Sequence, residues 1–384
     1  MRRTDRHPFI LTTAWLVWLT VAGSAGRASA GVADFRDQGR ATGASSVDER
    51  LTRIRQALYS GTADVSAAIR ELKAILAIDP RSHDAHVLLG IAYRGLGTPE
   101  FIAESVAEFR QALAITPRDP QTRLYLAYGY RDLGRLDRAR EELQTALTDA
   151  PGDIQILTLL GDVERQLQNP TRALELEQRA LAIDPQSLQA RFYLGLALVD
   201  LGRRSEGIAE IERVVRAGAP VSDAYLVLGT AYIDAGRARE AIAVLKRGTE
   251  IEGGRADLRI QLARALRTSG APAEARAQLD LAAASQSGTL LEAQRTNFDL
   301  ALEQGLVALA MSEWPVASKA FQTALRMEPD NGPANRGMAV VYLRQGAYAK
   351  AADHAARAEK AGAPLGDADR ALLRQKTGRG SGAA

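Results

Sequence analysis

Two kinds of residue in this 384-residue chain have types and spacings that could do chemistry. The first is the segment His83-Asp84-Ala85-His86, whose H-x-x-H spacing sets two imidazoles close together on a helix. The second is a set of arginines recurring at a nearly constant step, Arg94, Arg131, Arg165 and, three steps on, Arg267, with Arg264 one helical turn before the last. A protein zinc site needs three or four ligands. No third ligand stands at a recognisable distance from the histidine pair, and the chain has no cysteine and only four histidines. The pair therefore reads as structural. No G-x-S-x-G, H-E-x-x-H, P-loop or G-x-G-x-x-G motif occurs. The one Gly-Gly pair, Gly253-Gly254, reads as a turn. The sequence thus predicts no enzyme, no cofactor and no metal, and leaves the arginines as the chemistry to explain.

The elements that must position them are set by a period. A small residue recurs at Gly90, Ala127, Gly161, Gly195, Gly229, Ala263, Gly305 and Ala339, and five of the seven intervals are 34 residues. Self-similarity at this step marks a stacked array of helix pairs rather than a globular enzyme. Call this small residue position 8 of each unit. Position 20 is then also small: Ser105, Ala139, Ala173, Gly207, Ala241, Ala275, Ala317 and Ala351. Two antiparallel helices approach closely only at such positions. Position 24 fills the remaining space with Phe109, Leu143, Ile211, Leu245, Leu279 and Phe321. Glu177 and Ala355 stand there instead in two units, which predicts softer joints. Position 15 is Gly97, Gly134, Gly202, Gly236, Gly270 and Gly346, suited to ending a first helix with positive φ. Second helices should stop near Pro117, Pro151, Pro185 and Pro329.

With Leu at position 7 and Tyr93, Tyr130, Tyr232 and Tyr342 at position 11, this pattern resembles the tetratricopeptide repeat family. The resemblance covers eight repeats over 82–364, with a degenerate first repeat at 48–81 and a capping helix at 365–376. The aromatic residue of the family's position 4 survives only as Tyr225. The resemblance implies an all-α fold, a right-handed α-α superhelix, or solenoid, of stacked antiparallel helix pairs. It also implies that positions 2, 5, 9, 12 and 13 line a concave groove. Site residues carried over on that basis are Arg94, Tyr128, Arg131, Asp162, Arg165, Phe192, Arg264 and Arg267. Family members that grip a carboxylate terminus use Lys and Asn at positions 5 and 9. Here Val87 and Ile91, Leu124 and Tyr128, and Thr158 and Asp162 stand there, so that clamp is absent.

Two insertions break the step. Three residues are predicted to enlarge the turn in GTPEFIAE between Leu96 and Ser105. Eight more, between Ala282 and Leu300, are predicted to lengthen a loop and the following first helix.

The ends carry a different signal. Arg2, Arg3 and Arg6 precede an apolar run from Phe9 to about Gly23 and then Ala28-Ser29-Ala30. This order reads as a cleavable secretory signal peptide over 1–30, followed by a flexible leader over 31–47. The tail, 377–384, is Gly-rich and reads as disordered. Four of the 49 basic residues and one of the 46 acidic ones fall in the signal, so the rest balances at 45 of each. The net charge of +3 therefore argues for no polyanionic partner. Without cysteine there is no lipoprotein anchor either.

Together these features predict a non-catalytic adaptor in the periplasm or outside the cell, serving envelope assembly, secretion or polysaccharide export. It would hold partner proteins in its groove. The arginine fork suits acidic or carboxylate-bearing segments. The competing reading is structural: Arg131 pairs with Asp162 of the next repeat. Self-association remains a second mode of contact. Nucleic-acid binding, known for related helical repeats, is the alternative; export and the balanced charge oppose it.

Overall fold

A computed structural model of the chain describes residues 46–285 and 290–378, side chains of 290–294 excepted. The signal segment, most of the leader and most of the tail lie outside the described residues. Two compact units divide the chain, one up to Pro220 and one from Val221 onward. The described residues form 19 helices, so the class is all-α as expected.

In the first unit, α1 (Val47–Ser60) and α2 (Val65–Ile78) precede four helix pairs. Repeat 1 is α3 (His83–Gly95) with α4 (Pro99–Ile115), and repeat 2 is α5 (Pro120–Asp132) with α6 (Leu136–Asp149). Repeat 3 is α7 (Ile154–Gln166) with α8 (Pro170–Ile183), and repeat 4 is α9 (Leu188–Asp200) with α10 (Arg204–Arg216). The second unit continues with repeat 5, α11 (Ser222–Asp234) and α12 (Ala238–Ile251), and repeat 6, α13 (Ala256–Thr268) and α14 (Pro272–Ala284). Repeat 7 is α15 (Leu290–Ala310) with α16 (Trp314–Met327), repeat 8 is α17 (Gly332–Arg344) with α18 (Tyr348–Lys360), and α19 (Asp367–Thr377) closes the unit.

Local chemistry explains the boundaries. The second helices α4, α6, α8 and α16 each stop two residues before a proline, because the residue ahead of proline is pushed out of the helical region. The caps at Ser82, Asp119, Asp153, Ser187 and Asn331 each accept backbone N–H groups of the first turn that follows. All six position-15 glycines hold positive φ, from 70° to 86°. The two repeats lacking glycine there, 3 and 7, force Gln168 (φ 64°) and Ser312 (φ 59°) into the same left-handed conformation.

Packing follows the position-8 and position-24 rule. Phe109 lies on Gly90, Ile211 on Gly195, Leu245 on Gly229 and Phe321 on Gly305, leaving no room for a β-carbon at any of these glycines. In repeat 3 the residue seated on Gly161 is Glu177.

Position 4 lost its aromatic residue for a reason the structure supplies. Arg123 donates to the Pro117 carbonyl (2.8 Å) and to Glu142 (2.6 Å). Arg191 does the same with Pro185 (2.8 Å) and Glu210 (3.0 Å), and Arg259 with Gly253 (2.7 Å) and Gln278 (3.1 Å). His86 reaches Pro80 and Glu108, and Asn335 reaches Pro329 and His354. In five repeats, then, position 4 ties the preceding loop to position 23 of its own second helix. Repeats 3, 5 and 7 replace the pair with Leu157/Leu176, Tyr225/Ile244 and Ala301/Ala320.

The first insertion corrects a sequence expectation. The turn after α3 is not enlarged. The three residues extend α4 at its N-terminus to 17 residues, with Thr98 as cap and Pro99 in the first turn. The Phe101 ring stacks on Tyr93 at 5.9 Å between ring centres. The second insertion lengthens α15 to 21 residues.

Candidate partner-binding face

The first helices bring the arginines of the first unit together, but into a closed ladder rather than an open stripe. Arg94 on α3 meets Asp132 on α5 at 2.7 Å. Arg131 on α5 meets the same Asp132 (3.2 Å) and Asp162 on α7 (3.3 Å). Arg165 on α7 meets Asp162 (3.1 Å) and Asp200 on α9 (3.2 Å). Gln166 donates a further bond to Asp162 at 2.9 Å. Tyr128 lies between the first two guanidiniums, 4.9 Å from Arg94 and 5.2 Å from Arg131, within cation–π reach.

Burial sets the electrostatics of this ladder. It pulls the Arg94 pKa down to about 10 against the pull of Asp132. For Arg131 burial works in the same direction, but Asp132 and Asp162 outweigh it and hold the group above its ordinary value. Asp162 and Asp200 do the same for Arg165.

Four of the eight expected site residues are therefore buried. Arg131, Asp162 and Arg165 are 8%, 4% and 6% exposed, inside α7 and its neighbour, where every residue from Ile156 to Arg165 is buried. Phe192, expected on the groove, is core at 2% exposure, with its ring 5.3 Å from that of Tyr193. Arg94 and Tyr128 are partly exposed.

In the second unit Arg264 and Arg267 on α13 converge on one carboxylate. Arg264 Nε donates to Glu303 Oε1 at 2.7 Å, and Arg267 Nε to Oε2 at 3.0 Å. Glu303 on α15 is 1% exposed, while both arginine side chains keep about a quarter of their surface in solvent. Glu303 was missed in the sequence because it holds position 6, outside the groove set. The first helices of the same unit also carry partly exposed Leu226, Ile233, Leu306, Leu309 and Val340, and exposed Arg336. Leu306 and Val340 fall at position 9 and Ile233 and Leu309 at position 12, the positions that hold Tyr128, Asp162 and the arginines of the first unit's ladder, while Leu226 and Arg336 fall at position 5.

The histidine pair diverges. His86 Nδ1 sits 2.6 Å from Glu108 and His83 Nε2 3.3 Å from Asp119. Among the described residues no cluster of three or more His, Cys, Asp or Glu side chains could hold a metal ion.

A family model for the tetratricopeptide repeat matches residues 100–154, 124–187, 192–256 and 302–365, and a second model of the same description matches 232–295. The chain belongs to the tetratricopeptide repeat family. No curated protein matches the sequence. Among solved structures, the Cut9–Hcn1 hetero-tetramer of APC/C superposes with TM-score 0.60 at 16% identity, over 86% of this chain and 63% of that one. The human IFIT1 dimer with PPP-AAAA gives 0.54 at 18% identity, over 82% and 73%. A tetratricopeptide repeat protein from Parabacteroides merdae gives 0.52 at 18% identity, over 69% and 98%. At these identities the likeness concerns the fold. The fold of the family supports a scaffold for protein–protein interaction. Among the described residues no helix is long and apolar enough to cross a membrane.

Proposed function

We propose that this chain is a non-catalytic adaptor that holds a segment of a partner protein on the first-helix face of its second unit. The observation that carries this reading is the contrast at positions 9 and 12. From Arg94 to Arg165 the first unit commits position 12, with Tyr128 and Asp162 at position 9, to a largely buried ion ladder closed by Asp132 and Asp200. The second unit presents Ile233, Leu306, Leu309 and Val340 partly exposed, beside Arg336 and the solvent-facing edges of Arg264 and Arg267. An apolar strip flanked by guanidiniums suits a segment that alternates apolar and acidic side chains. The Arg2-Arg3, apolar and Ala28-Ser29-Ala30 order supports export, which gives the adaptor an envelope assembly, secretion or polysaccharide system to serve.

Affinity capture from envelope extracts tests the reading with three proteins: wild type, Leu309→Glu/Val340→Glu, and Arg94→Ala/Arg131→Ala/Arg165→Ala. A partner retained by wild type and lost with the apolar-strip variant is the expected result. Loss only with the triple arginine variant would return the site to the first unit. Amino-terminal sequencing of the exported protein checks the signal, with cleavage expected after Ala30.

A further inference from the structure

Glu177 on α8 is the one position-24 residue with a charge to lose. It is fully buried, and neither carboxylate oxygen has a hydrogen-bond partner among the described residues. The carboxylate rests on Gly161 of α7, where a β-carbon would overlap it. In other repeats Phe109, Ile211, Leu245 and Phe321 occupy the same seat. The charged groups on the helices packed around α8 are turned elsewhere. On α7, Asp162 is held by Arg131, Arg165 and Gln166, Arg165 is divided between Asp162 and Asp200, and Glu164 accepts from Asn169. On α9, Arg191 binds Glu210 and the Pro185 carbonyl. On α8 itself, Arg179 donates to the Pro151 carbonyl and Arg172 pairs with Glu175. No cation answers Glu177, and the charge it senses is the anion Asp162.

We propose that Glu177 is a proton-controlled latch of repeat 3: as the neutral acid it seals α8 on α7, and loss of its proton to water loosens that seam together with the ion ladder anchored on α7. An unpaired carboxylate in an apolar seat keeps its proton, because ionisation there forfeits hydration and gains no partner. Burial, with Asp162 adding to it, holds the group well above the ordinary carboxylate range. The sign follows from linkage. An acid whose folded pKa is raised binds more protons in the folded chain than in the opened one. Its stabilising contribution is complete below about pH 4 and is lost as pH rises toward the folded pKa. This is opposite to the usual carboxylate, which loses stability in acid. Helix α7 carries Asp162 and Arg165, so opening the seam exposes the ladder that closes the first unit's face.

Hydrogen exchange of the full chain, corrected for the intrinsic rate and followed from pH 5 to 8, tests this in wild type, Glu177→Gln and Glu177→Leu. In wild type the opening equilibrium of α7 and α8 should grow by up to tenfold per pH unit. Both variants should flatten that slope, while α5 and α13 exchange alike in all three. Gln keeps the shape and Leu restores the apolar seat used by other repeats, so the two variants remove the proton in independent ways. An α7–α8 slope equally steep in wild type and in either folded variant would overturn the latch. A flat wild-type slope would overturn it as well.

Discussion

Repeats 3 and 7 leave the common pattern at the same places and solve the consequence in opposite ways. Both lack glycine at position 15, so Gln168 and Ser312 carry the left-handed turn. Both have apolar residues at positions 4 and 23. Each also buries a glutamate, Glu177 at 0% and Glu303 at 1% exposure. Glu303 is met by two guanidiniums from the preceding first helix. Glu177 is met by none, and its seat on the position-8 glycine is the one Phe321 fills in repeat 7. Equal burial therefore does not mean equal charge. Where partners are supplied, the group is a fixed anion that ties two repeats together. Where they are not, it is a polar side chain in a hydrophobic seat, and its proton becomes a variable.

The largest expected effect comes from breaking the satisfied side of this comparison. Glu303→Leu strips both Arg264 and Arg267 of their anion. Loss of one member of a fully buried pair costs about 3–5 kcal/mol, and the partial exposure of the two arginines brings the expectation to about 2–3 kcal/mol. Urea denaturation of the full chain measures it. Removing all three charges together, with Arg264→Leu and Arg267→Leu added, should recover most of the loss. If the triple variant is no better than the single one, Glu303 acts through packing rather than through charge.

Next in size is a methyl group placed at the same position of both repeats. Gly161→Ala collides with the Glu177 carboxylate and Gly305→Ala with the Phe321 ring. Overpacking of this kind costs about 1–3 kcal/mol. The carboxylate is the far end of a flexible chain and the ring is not, so Gly161→Ala should cost the less of the two. Combining Gly161→Ala with Glu177→Ala should remove its penalty and leave a small helix-propensity gain of about 0.5–1 kcal/mol. Thermal midpoints of the four proteins give the ranking. Equal losses at both glycines would mean that repeat 3 is packed as rigidly as repeat 7.

Much of this frame could be read from the residues alone, because it depends on local rules. The phase of the small residues, the glycine turns and the prolines after second helices each act within a few residues of chain. The Arg131–Asp162 pair was also within reach, since charges one repeat apart at positions 12 and 9 face each other. What escaped depended on tertiary choices. Phe192 sits at position 5, and whether position 5 faces the groove or the core is decided by how tightly first helices pack. Glu303 sits at position 6, outside the positions that the family uses for its groove. The extension of α4 did have a signal, Thr98-Pro99, which is a cap followed by proline in the first helical turn. It lay inside what read as a turn. The polar tie between positions 4 and 23 was visible only as a missing aromatic residue, because its second half lies 19 residues further along the helix pair.

That tie gives the third prediction. Arg123→Leu strands Glu142 and frees the Pro117 carbonyl, and Glu142→Leu strands Arg123. Each should cost about 1 kcal/mol, given the part-buried, charge-assisted bonds lost. The double variant recreates the Leu157/Leu176 pair of repeat 3 and should cost less than the sum of the two. A coupling energy of at least about 0.5 kcal/mol in a double-mutant cycle is the expected reading. Additive losses would mean that the apolar and polar solutions of positions 4 and 23 are not interchangeable.

The smallest effect lies at the turn that repeats 3 and 7 share. A residue with a β-carbon in the left-handed region pays about 1–2 kcal/mol, partly offset because glycine loses more chain entropy on folding. Gln168→Gly and Ser312→Gly should each stabilise by about 0.5–1 kcal/mol, and Gly202→Ala should destabilise repeat 4 by a similar amount. If Gln168→Gly leaves the midpoint unchanged while Ser312→Gly raises it, the strain in repeat 3 is already released through its unpartnered glutamate seam. Equal gains would place the weakness of repeat 3 in Glu177 alone, since its turn would then be no softer than the one in repeat 7.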